Sequence, residues 1–277
     1  MDLSVIIVSW NVKELLKANL TALFKSQGDF SFEVFVVDNA SRDGSAEMLR
    51  QNFSAVKLIA NETNRGFAAA NNQALAQANG DFLLLLNPDM ILEAETLAKF
   101  LNWAKVNPQA TVAGCKLIDG CGRLVKQVRR FPKFCDQLLI ILKIPHIFPF
   151  LLGRYLQRRF NYEDPARVDS LRGSCFLINR RQYEKISGER PCLDEGYFLW
   201  FEEVDFCRRV YSLGGEVWYT PAARARDYFG RSFAQVKRGA AQKYFRDSML
   251  KYFQKWGRPG QVRILRAAWA LVGIFIK

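Results

Sequence analysis

Histidine is almost missing from this chain: His146 is the single copy in 277 residues. The six cysteines, Cys115, Cys121, Cys135, Cys175, Cys192 and Cys207, include no CxxC pair. Without such pairs or histidines, a structural zinc site or an iron–sulfur cluster has no ligand set. A domain of this size has no need of a disulfide scaffold either, so the cysteines read as free thiols in a reducing compartment. Apolar runs long enough to cross a bilayer as a helix, which takes about 20 residues, are also lacking. The longest near the carboxyl end, residues 267–276, is ten residues between Arg266 and Lys277. No basic leader precedes Met1-Asp2-Leu3-Ser4, so the chain is expected to open on a strand and not on a signal peptide.

What is present is charge of one sign and abundant apolar surface. Forty Lys and Arg against 27 Asp and Glu leave a net charge of +13. That excess suits an anionic partner such as nucleotide phosphates, nucleic acid or the anionic face of a membrane. A nucleic-acid binder would need a basic recognition helix, a zinc module or a stacking platform, and none is recognisable. Hydrophobic residues at 49% and aromatics at 13% exclude a disordered chain.

The first 110 residues alternate strand and helix. Residues 3–8 form a continuous β-branched run, the pattern of a strand buried on both faces. Further strands are expected at 32–37, 56–60 and 82–86, with helices over roughly 13–27, 45–51, 66–78 and 93–106. Asp43 or Ser45 can cap the second helix, and Gly80 stops the third. Four such units imply a mostly parallel sheet covered by helices on both sides. Ligands of such sheets sit outside the carboxyl ends of the strands, where Asp38-Asn39, residues 61–65 and Asn87-Pro88-Asp89 fall. Beyond these, strands are expected at 114–122 (with Gly120 left-handed in its turn), 175–178 and 217–219, and an amphipathic helix at 198–211. After Ser232 the chain reads as helical; residues 237–277 hold ten Lys or Arg and only Asp247 as an acid.

Two acidic features carry chemistry. Asp89 follows a buried strand in a turn that Pro88 stiffens. A carboxylate facing a diphosphate is useful when a divalent cation takes oxygens from both; a simple turn acid capping the helix near Glu93 would look the same. The second feature is Phe201-Glu202-Glu203-Val204-Asp205, whose carboxylates repel one another. On a helix Glu202 and Asp205 share a face while Glu203 points elsewhere. Arg208 and Arg209 lie one turn on and could pair with part of this charge. The surrounding aromatics, Tyr197, Phe198, Trp200, Phe201 and Phe206, suggest a partly buried face on which a carboxylate can become a general base.

These segments resemble, in order, the motifs of the family 2 glycosyltransferases with the GT-A fold, in particular their rhamnosyltransferase-like, cell-surface polysaccharide branch. Val8-Ser9-Trp10-Asn11 is similar to the end of the family's first strand. Residues 37–45 resemble its nucleotide-base and ribose loop, and residues 64–72 the loop and helix that follow. Leu86-Asn87-Pro88-Asp89 stands where the family has its metal and diphosphate motif. Arg172-Gly173-Ser174 resembles the start of the acceptor-side strand, and residues 194–198 precede the catalytic acids. The resemblance covers residues 3–232. It implies a GT-A domain over 1–232, with a nucleotide-binding half at 1–110, an acceptor half at 111–232 and an apolar insert near 134–160. A basic amphipathic tail would occupy 233–277.

The resemblance assigns Ser9, Asn11, Asp38, Asn39, Asp43, Asn64, Gly66, Phe67, Asn71 and Asn87 to the donor, Asp89 and Asp227 to Mg²⁺ or Mn²⁺, and Glu203 to general-base catalysis. Arg172, Gly173, Glu202 and Asp205 serve the acceptor or support the base. The implied reaction is inverting transfer of a sugar from dTDP-rhamnose or a UDP-hexose to a hydroxyl of a glycan or polyprenyl-diphosphate-linked acceptor. Two positions depart from the family's usual residues: Glu203 stands where Asp is common, and Asp227 opens Asp227-Tyr228-Phe229-Gly230-Arg231-Ser232 where a histidine is common. These departures keep open an alternative, a catalytically weak or silent sugar-nucleotide-binding protein. A nucleotidyltransferase would need a Gly-rich, Lys-containing phosphate loop, and Trp10-Asn11-Val12-Lys13 is not one. The apolar insert, the basic run Arg154, Arg158 and Arg159, and the basic tail suggest contact with a membrane surface; packing on the core or an oligomer interface would use the same residues. His146 reads as an ordinary residue of the insert. The expected location is the cytoplasm, peripheral to the inner face of the bacterial cell membrane.

Overall fold

The computed structural model describes residues 1–228 and 238–274. Four strands, β1 (Leu3–Ser9), β2 (Phe32–Asp38), β3 (Val56–Ala60) and β4 (Phe82–Leu86), pair in parallel in the order β3-β2-β1-β4. β1, β2 and β4 are almost wholly buried because both faces are covered, whereas β3 at the edge is only partly buried. Val5, Ile7, Val34, Val36, Leu84 and Leu86 face one core with Leu16, Leu20 and Leu23 of α1 (Lys13–Leu23). Ile6, Phe35, Val37, Leu83 and Leu85 face the other, against the alanines of α3 (Phe67–Leu75). The period-2 alternation of a strand thus divides each run between two helical layers.

The second half continues the sheet in mixed directions, in the order β8 (Cys175–Asn179), β6 (Ala110–Ile118), β9 (Glu216–Asp227) and β5 (Met90–Leu92), with the two-residue β7 (Ala166–Arg167) pairing β9 off this path. β8 (Cys175–Asn179) runs antiparallel to β4, with Leu86 opposite Cys175. The start of β8 therefore lies at the same edge as the carboxyl end of β4, and Arg172-Gly173-Ser174 arrives beside Asn87-Pro88-Asp89. β6 (Ala110–Ile118) pairs with β8 and, in parallel, with the twelve-residue β9 (Glu216–Asp227). The far end of β9 pairs with β5 (Met90–Leu92), placing Met90 opposite Asp227.

Several local expectations need correction. The helix after Asp89 begins only at Thr96 (α4, Thr96–Val106), because residues 90–92 are drawn into the sheet as β5. The helix expected from Phe198 is α7, Glu202–Ser212. Trp200 and Phe201 before it adopt φ of 65° and 69°, a left-handed conformation that no right-handed helix accommodates. In the turn after β6 the left-handed glycine is Gly122 (φ 81°) and not Gly120. There the Asp119 carbonyl accepts from the Gly122 amide, and Gly120 lies beside the Tyr228 ring. The tail forms α8 (Arg238–Trp256) and α9 (Gln261–Ile274). The boundary expected at 232 and the end of the motif that Asp227 opens lie outside the described residues.

Candidate active site

The donor-side candidates gather at the carboxyl ends of β1, β2 and β3. Ser9 is opposite Asp38 in register, and its carbonyl accepts from the Asn39 amide. Asp38 is buried; one carboxylate oxygen accepts from the Ser41 amide at 3.3 Å, and desolvation raises its pKa. Asn39 is a hub: its amide nitrogen donates to Asn64 Oδ1 (2.9 Å) and the Gly66 carbonyl, while its oxygen accepts from Asn61 and from the Arg65 backbone. This hub fixes the shape of the 61–66 loop. Asn11, left-handed at φ 51°, accepts from the Arg42 amide. Between these loops lies a cleft of about 550 Å³ walled by Trp10, Asn11, Ser41, Arg42, Asn61 and Asn64. Asp43 is committed to the backbone. It accepts from the Lys13 amide and from both the amide and hydroxyl of Ser45, bonds that hold its carboxyl below the usual range despite partial burial.

Gly66 and Phe67 join the donor side to the acidic loop. Gly66 has φ 84° and faces Phe198, and the Phe67 amide donates to the Phe198 carbonyl at 2.8 Å. One turn on, Asn72 exchanges two hydrogen bonds with the Leu193 backbone. Asn71 is buried and donates to the Phe67 carbonyl; its own side-chain oxygen has no hydrogen-bond partner.

The Asn87-Pro88-Asp89 turn is held from two sides. The Asn87 amide donates to the Ser174 carbonyl (2.9 Å), and Asn19 of α1, buried, donates to the carbonyls of Asn87 and Met90. Asp89 is itself buried, and its carbonyl accepts from the Tyr228 amide, which fastens it beside Asp227. Arg172 reaches Asp227 at 3.7 Å. Two buried carboxylates, one in the turn before β5 and one at the end of the adjoining β9, are a hard-oxygen donor set of the sort that holds Mg²⁺ or Mn²⁺ when phosphates and water complete the shell. Among the described residues no group of three or more His, Cys, Asp or Glu is gathered for a metal.

The acids at the start of α7 divide by environment. Glu202 is buried and Glu203 partly exposed. Burial drives the Glu202 carboxyl well up, with the neighbouring Glu203 charge adding to it. Burial also raises Glu203, against which its own helix-terminal amide and the nearby Arg172 cation act. Oε2 of each has no hydrogen-bond partner. Glu203 packs on Gly173, whose Cα would place a β-carbon 3.5 Å from Glu203 Cβ. Asp205, fully buried, takes part in structure: it accepts from Tyr197 (3.2 Å), Lys255 (2.7 Å) and Trp256 (2.7 Å). The expected pairing of Arg208 and Arg209 with these acids is corrected. Arg208 donates to the Tyr252 hydroxyl among the rings of Phe131, Tyr252 and Trp256, and Arg209 donates to the Cys192 carbonyl.

Two residues on the Arg172 side of the site were not singled out by the sequence. Tyr155 lies close enough to feel the Glu203 charge, and burial pushes its phenol up to about 12. Arg129, beside Tyr155 and Arg172, is held below its ordinary value by burial. Asn19 had a legible signal, a lone amide on the apolar face of α1 among Leu16, Leu20 and Leu23.

With this geometry in hand, the relatives are informative. Residues 4–186 match the family described as Glycosyl transferase family 2. Rhamnosyltransferase WbbL of Escherichia coli K12 is 26% identical over 249 residues, covering 83% of this chain and 87% of that protein. The N-acetylglucosaminyl-diphospho-decaprenol L-rhamnosyltransferase of Mycobacterium tuberculosis H37Rv is 26% identical over 202 residues, covering 69% of this chain and 64% of its own. Among solved structures, the mannosyltransferase PcManGT of Pyrobaculum calidifontis, in complex with GDP-Man and Mn²⁺, superposes with a TM-score of 0.59 at 18% identity, over 98% of this chain and 69% of that one. This chain belongs to glycosyl transferase family 2 and has the GT-A fold. It is a glycosyltransferase.

Proposed function

We propose that this glycosyltransferase moves a sugar, with inversion, from a nucleoside-diphosphate sugar (dTDP-rhamnose or a UDP-hexose) to a hydroxyl of a glycan or polyprenyl-diphosphate-linked acceptor. The setting would be cell-surface polysaccharide synthesis at the inner face of the membrane. The observation that carries this reading is the meeting of Asp89, Asp227, Arg172 and Glu203 at one sheet edge, on the side of the sheet where the Asn11–Asn64 cleft opens. The printed names of the two rhamnosyltransferases support the sugar class, and that of the mycobacterial protein supports a lipid-linked acceptor.

In this mechanism Asp38 and the 61–66 loop bind the nucleoside. Asp89 and Asp227 would hold a divalent cation, which when bound offsets the charge developing on the diphosphate leaving group. Glu203 Oε2 accepts the proton of the acceptor hydroxyl as that oxygen attacks the anomeric carbon from the side opposite the diphosphate. Partial burial raises the affinity of Glu203 for that proton, while Arg172 keeps a useful fraction ionised.

The Arg172–Asp227 ion pair favours a second reading, a silent sugar-nucleotide-binding protein in which guanidinium takes the place of metal. A thermal-shift screen of UDP-, dTDP- and GDP-sugars with and without Mn²⁺, followed by transfer assays with Glu203→Gln, separates the two. Metal-dependent stabilisation by a donor, with Glu203→Gln binding that donor normally but transferring roughly 10²–10⁴-fold more slowly, is the expected result. Wild-type transfer rates from the variant would refute the base, and donor stabilisation indifferent to metal would favour the silent reading.

A further inference from the structure

Among the described residues, large exposed apolar side chains concentrate in the segment that follows α5 (Phe134–Ile141). Leu142, Ile147, Phe148, Phe150 and Leu151 are 41%, 74%, 49%, 68% and 42% exposed. The segment is built: Pro145 and Pro149 start short 3-10 turns, Leu152 is buried, and the Phe148 and Phe150 rings stand edge to face at 6.1 Å. Its charge is of one sign. Between Asp136 and Glu163 there is no acid, while Lys143, Arg154, Arg158 and Arg159 contribute four cations. All four are exposed, and among the described residues none forms an ion pair. Phe150, Arg154, Arg158 and Arg159 also border a cleft of about 450 Å³, in which guanidinium groups adjoin the apolar tip.

In the tail, many large apolar side chains pack on the protein. Met249, Tyr252, Phe253 and Leu265 are at most 4% exposed, packed with Tyr197, Phe201 and Ile141. Ile264 and Leu271 of α9 remain 52% and 57% exposed.

We propose that residues 142–159 dock on the surface of an anionic lipid bilayer. Ile147, Phe148, Phe150 and Leu151 enter the boundary between headgroups and acyl chains, and Lys143, Arg154, Arg158 and Arg159 engage lipid phosphates. Charge complementarity selects this occupant over a second copy of the chain. A two-fold contact through the patch would set the four cations of one copy against the same four of the other. Lipid docking does not depend on the donor and base assignments. What rests on them is only the consequence that a docked chain would meet a lipid-anchored acceptor at Glu203.

Flotation of the full chain with phosphatidylcholine vesicles, with and without phosphatidylglycerol, tests the docking. Binding is expected to anionic vesicles, to weaken with salt, and to fall roughly tenfold or more in both Phe148→Asp/Phe150→Asp and Arg158→Gln/Arg159→Gln. Melting temperature and stabilisation by donor nucleotide should match wild type, because these side chains are exposed and lie outside the donor loops; failure of the function would leave vesicle binding intact. No flotation by wild type, equal flotation by the variants, or a wild-type dimer that the variants dissolve in light scattering would each overturn the proposal.

Discussion

Gly66 joins the donor loop to the loop that leads into the candidate base, and its replacement by alanine has consequences that can be worked from contacts. At φ 84° and ψ 170° its backbone occupies a region almost restricted to glycine, at a cost of about 1–3 kcal/mol for alanine. The added methyl would stand 2.7 Å from the Phe198 carbonyl oxygen, 2.7 Å from its ring and 3.0 Å from its Cα. The ring can turn aside, but the carbonyl can retreat only by lengthening its hydrogen bond from the Phe67 amide. Overpacking and a weakened bond add about 1–3 kcal/mol, so Gly66→Ala should lose about 2–6 kcal/mol in all. Gly188→Ala is the control: φ is 75°, and nothing lies within 4 Å of its added methyl. Only left-handed strain remains, about 1 kcal/mol. Urea unfolding of both variants beside wild type measures the difference, and calorimetric titration with nucleotide measures the loop. Gly66→Ala should weaken nucleotide binding at least tenfold, because displacing Gly66 disturbs the Asn39–Asn64 network; Gly188→Ala should leave binding unchanged. Equal destabilisation of the two variants with unaltered nucleotide affinity would refute the docking.

Three further outcomes follow from the acids. Asp89→Ala should abolish the Mn²⁺-dependent part of donor stabilisation, so that EDTA lowers the melting temperature of donor-bound wild type but not of the variant. The acidic limb of transfer activity should lie above pH 4.5, the ordinary glutamate value, since burial raises Glu203; Arg172→Met removes a cation that favours the carboxylate and should move that limb to higher pH. Glu202, also raised, favours the folded state fully below pH 4.5 and loses that contribution as pH climbs through its folded value. Glu202→Gln should therefore melt like wild type at pH 4 and higher at pH 8, by a few degrees for each kcal/mol removed, roughly 2–4 °C; an equal shift at both pH values would deny the buried charge.

The strands legible in sequence are those whose cause is local. β1, β2, β3 and β4 are apolar runs closed by Asp, Asn or Pro, and their observed bounds differ from expectation by at most a residue. What escaped has a distant cause. Met90–Leu92 is three residues long and is a strand only because Ala225–Asp227 arrives beside it. Trp200 and Phe201 carry no mark of a left-handed backbone, which accompanies the docking of Phe198 on Gly66 and Phe67. Of the site, the strand-end acids were visible because carboxylates are conspicuous after apolar strands. Their partners were not: Arg172 meets Asp227, and Asn19 meets Asn87, through the crossing of strands far apart in sequence.

That difference also decides how much of the chain counts as the catalytic body. Pattern alone divides residues 233–277 from the domain as a basic amphipathic tail. Yet α7, which presents Glu203 from its first turn, carries Asp205 one step further on, fully buried, and the cation it meets is Lys255 of α8. Lys251 and Lys255 also hold Asp194, where the loop leading into α7 begins. A buried carboxylate without its partner is costly to hold, so a chain without α8 would have to open the interior around Asp205. That response would shift the helix that carries Glu203, because Asp205 and Glu203 lie in the same first turn of α7. The helices beyond residue 238 are thus part of what sets the geometry of Glu203, and the positive charge of α8 serves first to neutralise Asp194 and Asp205.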